Sequence, residues 1–565
     1  MDRTPAVAAI GVAILVLSSV GIATADHVPT TATVPGEVPG AALLEEGPVR
    51  WLANVQAGNG VAAPLGERGP FERDGRAYIA ASSTTFGLHV VDVTEPVSPE
   101  VISAYASAFG CPSATAEAYV GGTRDPLAPV AGWENDVSFR PDGTIAVLGM
   151  DAAGRCHDPH YGGLEFVDLT DLRNPRTLHL TRNVGEAHSV TIDHERPWLA
   201  YISTTDSADF IDVVDFRSCL GGVARIERCD PDTARIPFTE QLPGVPADDP
   251  ATYGCHDIRV QGDLLYCAAV GQTSIIDISG IVGPDGRLSG THLDCPTVDA
   301  TRAPGVKVTD CSMWTEDEFA SSGARPANAR MLSIIRHRGS QPADRDVAIA
   351  HQAEPTADGR IMFVTDERGG GLTNTQGCPG GGIWFYDIRD KSKPVMMRQP
   401  DGSPAVFRTP TNLPGDAHMS CTAHYGEQVG EENIMTFAWY LNGTRVFRYT
   451  PDFSTSPASV EFEEIAAYLP VGGWTIQAKP MGMNPDNPKE LLVYTADENR
   501  GIDVLAVRIP ELARTGERSG GGGKGNVLGR RAPLPATGLP DPASVALALL
   551  VGAALVAQRA RRILG

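Results

Sequence analysis

The feature that most constrains this chain is a short unit that returns along it. GLHVVDVTEPVSPEVISAY, starting at Gly87, matches GLEFVDLTDLRNPRTLHL, starting at Gly163. Looser copies are FIDVVDF from Phe210, TSIIDIS from Thr273, GIWFYDIRDKSKPVMM from Gly382 and GIDVLAVRI from Gly501. Each is a β-branched and aromatic run, often preceded by Gly and ending in Asp and a polar turn, which spells a strand. A second strand-like run lies upstream of each, near Ala77, Thr144, Trp198, Leu264, Ile361, Ile434 and Leu491. Most of these follow a turn such as Pro141-Asp142-Gly143, Gln261-Gly262-Asp263 or Ala357-Asp358-Gly359. One unit therefore reads strand, turn, strand, Gly-rich loop, strand with a terminal Asp, Pro turn, strand. Four antiparallel strands per unit make a propeller blade. The repeat predicts an all-β chain with a seven-bladed β-propeller; six or eight blades also fit the spacing, and two stacked sheets are the alternative. The last unit lacks a fourth strand after Ile509, and Val49 to Asn54 is placed to supply it and close the ring.

On Gly87-Leu88-His89-Val90-Val91-Asp92-Val93 and Gly163-Leu164-Glu165-Phe166-Val167-Asp168-Leu169, the chain resembles the LVIVD-repeat β-propellers of bacteria. The resemblance covers roughly residues 48–510. It implies a propeller and an extracellular setting but little chemistry, because propellers host many unrelated functions. The unit near Thr444-Arg445-Val446-Phe447-Arg448-Tyr449 lacks the Asp. An insertion at about 283–346, with Cys295 and Cys311, has no counterpart in the other units and is a candidate cover for the channel.

Both ends of the chain read as address labels. Residues 1–25 carry Arg3, an apolar run from Ala6 to Val20 and the small-x-small site Ala23-Thr24-Ala25, the order of a secretory signal peptide; an uncleaved anchor is the alternative. Residues 26–47 then form a linker. Near the other end, Leu534-Pro535-Ala536-Thr537-Gly538 precedes the apolar stretch Ala543 to Ala557 and then Arg559, Arg561 and Arg562. This order, over 534–565, resembles the LPxTG-type sorting signal of Gram-positive surface proteins. The resemblance implies sortase as a partner, cleavage after Thr537, and attachment to cell-wall peptidoglycan. The apolar stretch would be a transmembrane hold before sorting, and the alternative is a plain membrane tail. The spacer at 511–533 contains Ser519 to Gly525, rich in Gly, and would lift the propeller off the surface.

Composition agrees with an extracellular β protein. The 565 residues include 61 glycines and 44 prolines, and 69 acidic against 46 basic residues leave a net charge of −23. A nucleic-acid partner is excluded, because no basic stripe exists to neutralise phosphates. The ten cysteines are Cys111, Cys156, Cys219, Cys229, Cys255, Cys267, Cys295, Cys311, Cys378 and Cys421. Their even number, without a C-x-x-C, suggests disulfides. Cys255 and Cys267 flank Gln261-Gly262-Asp263 symmetrically, as a cross-strand pair would, and sequential pairing throughout is the expectation.

Chemistry should sit where first strands begin and second strands end, since these share one mouth of a propeller channel. First strands begin with Asn135-Asp136, His188, His256 and His351, and the sixth unit offers His418 and His424. Second strands end in Asp151, Asp206, Asp366-Glu367 and Asp497-Glu498, and Glu354 lies close after His351. Three readings compete. The polar residues could bond the backbone of the neighbouring blade and cap turns. His188, His256, His351 and His424 could hold a divalent or copper ion, because neutral imidazole suits such metals. A metal-free small-molecule pocket is the third. The run from Ala350 to Pro355 is similar in style to strand starts in propellers of the selenium-binding protein and methanethiol oxidase type, without a residue-by-residue match. No G-x-S-x-G, H-E-x-x-H or Walker loop is present. The sequence thus supports a surface binding or display module with an unknown extracellular ligand. An extracellular metal-dependent oxidase or hydrolase is the alternative.

Overall fold

The computed structural model describes residues 42–55, 70–83, 87–108, 134–150, 163–182, 187–203, 210–237, 254–269, 271–299, 305–311, 314, 316–337, 347–367, 381–409, 422–430, 432–471, 473–497 and 500–509. Among them the fold is all-β, with one short α-helix, Glu316–Ser321, and two 3-10 turns. The signal-peptide region, the sorting motif Leu534 to Gly538 and its apolar segment lie outside the described residues. So do Asp151, Asp206, His418, Cys111, Cys156, Cys378 and Cys421. No helix among the described residues is long and apolar enough to cross a membrane.

Strands pair with their chain neighbours as antiparallel meanders. The first sheet joins Phe71–Arg73, Arg76–Ser83, Gly87–Asp92 and Glu100–Ala106. The second joins Glu134–Phe139, Ile145–Met150, Gly163–Asp168 and Arg176–Arg182. The third joins Ser189–Ile192, Leu199–Ser203, Phe210–Asp215 and Asp232–Pro237. The fourth joins Asp257–Gln261, Leu264–Ala269, Gln272–Asp277 and Arg330–Arg336. The fifth starts with Ala350–Pro355, Ile361–Asp366 and Gly382–Asp387. Ala42–Glu46, which the sequence reads as part of a linker, Val49–Val55 and the strands from Tyr425–Gln428 onward form a nine-stranded sheet. Its two antiparallel halves meet where Tyr425–Gln428 runs parallel to Thr475–Asn484. Val49–Val55 pairs with Gly501–Arg508 at its end, the place the sequence gives it.

Apolar packing links each sheet to the next. Val147 packs towards the third sheet while its neighbour Leu148 packs towards the first. Side chains alternate along a strand, so a strand buried on both faces must be apolar throughout, and that is why the repeat reads VVDV rather than alternating. The series returns on itself: Leu492, Val504 and Ala53 of the last sheet share a cluster with Ile79 and Val91 of the first.

The repeated Gly and Asp have local causes. Gly163 has φ +146°, and a Cβ there would lie 2.1 Å from the Thr181 carbonyl oxygen of the neighbouring strand. Only Gly allows that approach. Each terminal Asp accepts from the amide two residues on, as in Thr94 to Asp92 at 3.0 Å and Thr170 to Asp168 at 2.8 Å. These Asx turns end the third strand of the unit.

The insertion is shorter than the sequence suggests. Arg330–Arg336 is the fourth strand of its own sheet, pairing with Gln272–Asp277. The segment between crosses to the outer strands of other sheets. Lys307–Asp310 runs parallel to Arg176–Arg182 of the second sheet, and Leu293 N–H donates to Thr233 O of the third at 3.0 Å. These contacts place it on the outer rim, away from the first strands. Among the described residues three disulfides pair in sequential order, Cys219–Cys229, Cys255–Cys267 and Cys295–Cys311.

Candidate metal centre

The first strands lie side by side and bond to one another. Val190 N–H donates to Asp136 Oδ2 at 3.1 Å, and Thr191 Oγ1 to Ile258 O at 2.6 Å. Gln352 clasps Gly426 through both its amide atoms. Asp136 and Gln352 therefore serve the adjacent strand.

The histidines sit at one level of this assembly. The amides of His188, His256 and His424 each donate to a carbonyl of the second strand in the same sheet, Ser203, Ala268 and Ala438. Equivalent backbone positions in successive sheets bring the rings together. Ring centroids are 4.3 Å apart for His188–His256, 4.2 Å for His256–His351 and 4.1 Å for His351–His424. All four side chains are buried. His188 Nε2 lies 3.1 Å from His256 Nε2.

A carboxylate completes the group, and of the pair Asp366-Glu367 at the end of the second strand it is Glu367. Asp366 turns away and accepts from Ile349 N–H at 3.0 Å. Its neighbour Glu367, pointing to the opposite side of the chain, places Oε2 3.7 Å from His351 Nε2 and Oε1 3.8 Å from His424 Nε2. Ligating atoms of His256, His351 and Glu367 all lie within 4.8 Å of one another. The Tyr440 hydroxyl donates to Glu367 Oε1.

Electrostatics keep His424 in its ligating form. Burial lowers His424 to about 3, with the His188 ring opposing a second charge and the Ile476 carbonyl only partly offsetting both. A carbonyl can only accept, so the contact of His424 Nδ1 with Ile476 O fixes the proton on Nδ1 and directs the Nε2 lone pair at the cluster. Metal-bound histidines show this pattern, with the second ring nitrogen held by a backbone acceptor. Tyr425 packs on both His351 and His424, and burial, then the charges of Asp257, Asp136 and Glu367, push its phenol well above the usual range.

Three residues beyond His256, His351 and His424 lies a second layer: Arg259, Glu354 and Glu427, joined by Lys479. Arg259 Nη2 bridges Glu354 and Glu427 at 3.0 Å each, and Lys479 Nζ is 3.0 Å from Glu427. Burial raises Glu354. For Glu427 burial acts the same way, but Lys479 and Arg259 outweigh it and hold the group low. Glu354 thus belongs to this ionic layer and not, as expected from sequence, beside the histidines. Asp497 caps a strand start, accepting from Trp474 N–H at 2.7 Å. Asn135 lies on the first strand of the second sheet, its side chain outside the described residues.

Sequence reasoning missed Tyr440, Arg259, Glu427 and Lys479, and it named Glu367 only as the second half of the pair Asp366-Glu367. The signal for the ionic layer was present: HDIR, HQAE and HYGE carry a charge at the same offset from each His.

No known family's sequence pattern matches the chain, and no curated protein matches it. Among solved structures, it is similar to the β-propeller domain of Myceliophteria thermophila Cps50 (Swd1), with 11% identity, a TM-score of 0.42, and coverage of 82% of this chain and 100% of that one. It is also similar to a chain of "COPII on membranes, outer coat vertex", with 10% identity, a TM-score of 0.41, and coverage of 78% and 84%. A chain of Kuenenia stuttgartiensis hydrazine synthase gives 12% identity, a TM-score of 0.41, and coverage of 78% and 96%. None of these bears on ligand or activity.

Proposed function

We propose that this chain is a secreted seven-bladed β-propeller, anchored to the cell wall through Leu534 to Gly538. At its hub the buried cluster of His188, His256, His351 and His424, with His256 and His351 as the ligating pair, holds one divalent transition-metal ion that acts on an extracellular small molecule. The sheet order supports seven blades if the nine-stranded sheet is divided at its parallel junction. Three disulfides fit an oxidising compartment.

The observation that carries the metal reading is the spacing of buried ligand atoms. Bonds of about 2.0–2.2 Å place neighbouring ligand atoms about 3.0 to 3.5 Å apart around one ion. The 3.1 Å between His188 and His256 lies within that spacing, and the 3.7 Å between His351 and Glu367 lies just above it. When bound, such an ion would polarise a substrate or activate a water. The chain's own part is to present buried imidazoles and to exclude bulk water from them.

A metal-free binding or display module is the second reading, favoured by Asp136 and Gln352, whose polar atoms bond neighbouring strands. Elemental analysis of the full chain, purified without chelating resin, separates the two. The metal reading expects about one equivalent of a transition metal, lost in His256→Ala and His351→Ala while the circular dichroism of the fold persists. A folded, metal-free wild type would leave the display reading.

A further inference from the structure

We propose that Glu367 is the anionic ligand of the hub ion and that Tyr440 is the residue that positions it. This rests on the metal reading of the histidine cluster. Glu367 is buried, follows the second strand of the fifth sheet, and is tied at its backbone by Glu367 N–H to Ile349 O at 3.0 Å. Its two oxygens divide their tasks. Oε2 faces His351, and Oε1 accepts from Tyr440 while lying near His424.

Tyr440 comes from a different sheet and sits in an unusual backbone state. Its φ is +44°, the left-handed region that bulky residues avoid. The turn it opens, Tyr440 to Gly443, is closed by Gly443 N–H to Tyr440 O at 2.9 Å. A turn alone would favour Gly or Asn at such a position. A bulky aromatic held there is strain of the kind that gathers at functional sites, and here the reach of its phenol to Glu367 accounts for it. Tyr440 also packs on His424 at 4.8 Å between ring centroids and on Trp474 at 5.3 Å, which fixes the direction of the ring.

The resulting donor set combines imidazole nitrogen with a carboxylate oxygen. A hard oxygen donor favours a divalent ion such as Fe²⁺, Mn²⁺ or Zn²⁺ and disfavours Cu⁺, which takes softer ligands. Removing a carboxylate's supporting hydrogen bond should weaken metal binding by about 10–100-fold.

The test is titration of the full chain with Co²⁺ alone, read by its visible absorption. Wild type should bind with a d–d spectrum that shifts in Glu367→Gln, and that variant should bind at least about tenfold more weakly. Tyr440→Phe should also weaken binding and alter the spectrum, while thermal unfolding shows both variants folded. If wild type binds Co²⁺ and Glu367→Gln binds it equally, with the same spectrum, Glu367 is no ligand. If only Tyr440→Phe is silent, the positioning role is wrong. A folded wild type that ignores Co²⁺ overturns the metal reading itself.

Discussion

His188 and His256 bring their Nε2 atoms to 3.1 Å although 68 residues separate them in the chain. The two rings belong to consecutive sheets, and each backbone amide donates to the second strand of its own sheet. Repetition of one backbone position, rather than a local motif, builds the cluster. A site assembled this way depends on the repeat geometry, so changes to the repeat should be felt first as stability.

Gly163→Ala should destabilise the fold severely, because the new Cβ would collide with Thr181 O at 2.1 Å. Gly75 also has positive φ, but a Cβ there would meet nothing within 4 Å. Gly75→Ala should therefore cost only the backbone term of about 1–2 kcal/mol, and Gly163→Ala clearly more. Denaturant midpoints of the two variants check the order.

Acid should weaken the protein before carboxylates titrate. Burial lowers His89 and His179 to about 4 in the folded chain, whereas an unfolded His takes up its proton near pH 6.5. Between about pH 6.5 and 4 the unfolded state holds more protons, so stability is greatest above that window and falls as pH drops through it. Each residue contributes a slope of about 1.4 kcal/mol per pH unit there. His89→Asn or His179→Gln should flatten the slope of unfolding free energy against pH. An unchanged slope in both would contradict the assignment.

The ionic layer should respond unequally to its members. Burial already favours the neutral form of Glu354, and Glu354→Gln keeps an acceptor for Arg259, so it should cost less than about 1 kcal/mol. Arg259→Met leaves two half-buried carboxylates without their shared cation, with Lys479 still beside Glu427, and should cost clearly more than Glu354→Gln. Urea unfolding of the two variants gives the comparison.

Reduction should loosen the rim without touching the centre. The Cys295–Cys311 bridge closes a loop with a sequence separation of 16 in the inserted segment. Replacing both cysteines by Ser should lower stability by about 2–3 kcal/mol. Metal content should stay unchanged, because the segment's contacts are with outer strands. Elemental analysis of the double variant checks this.

The strand pattern was legible because turn residues announce it: Pro141-Asp142-Gly143 and Gln261-Gly262-Asp263 stand just before second strands that begin at Ile145 and Leu264. The histidines were legible because they recur at strand starts. Three things were hidden. Asp366 and Glu367 are both acidic, and only the alternation of side chains along the chain decides which one faces the rings. Tyr440 reaches Glu367 from another sheet, a contact no spacing encodes. Arg330–Arg336 looked like part of the insertion because more than 50 residues separate it from its partner strand, which ends at Asp277.

The most direct test of the hub assignment is anomalous X-ray scattering from crystals of the protein purified without added metal or chelator. One peak within bonding distance of His256, His351 and Glu367 is the predicted result. A map with no peak there, or with the metal bound only at surface carboxylates, would contradict it.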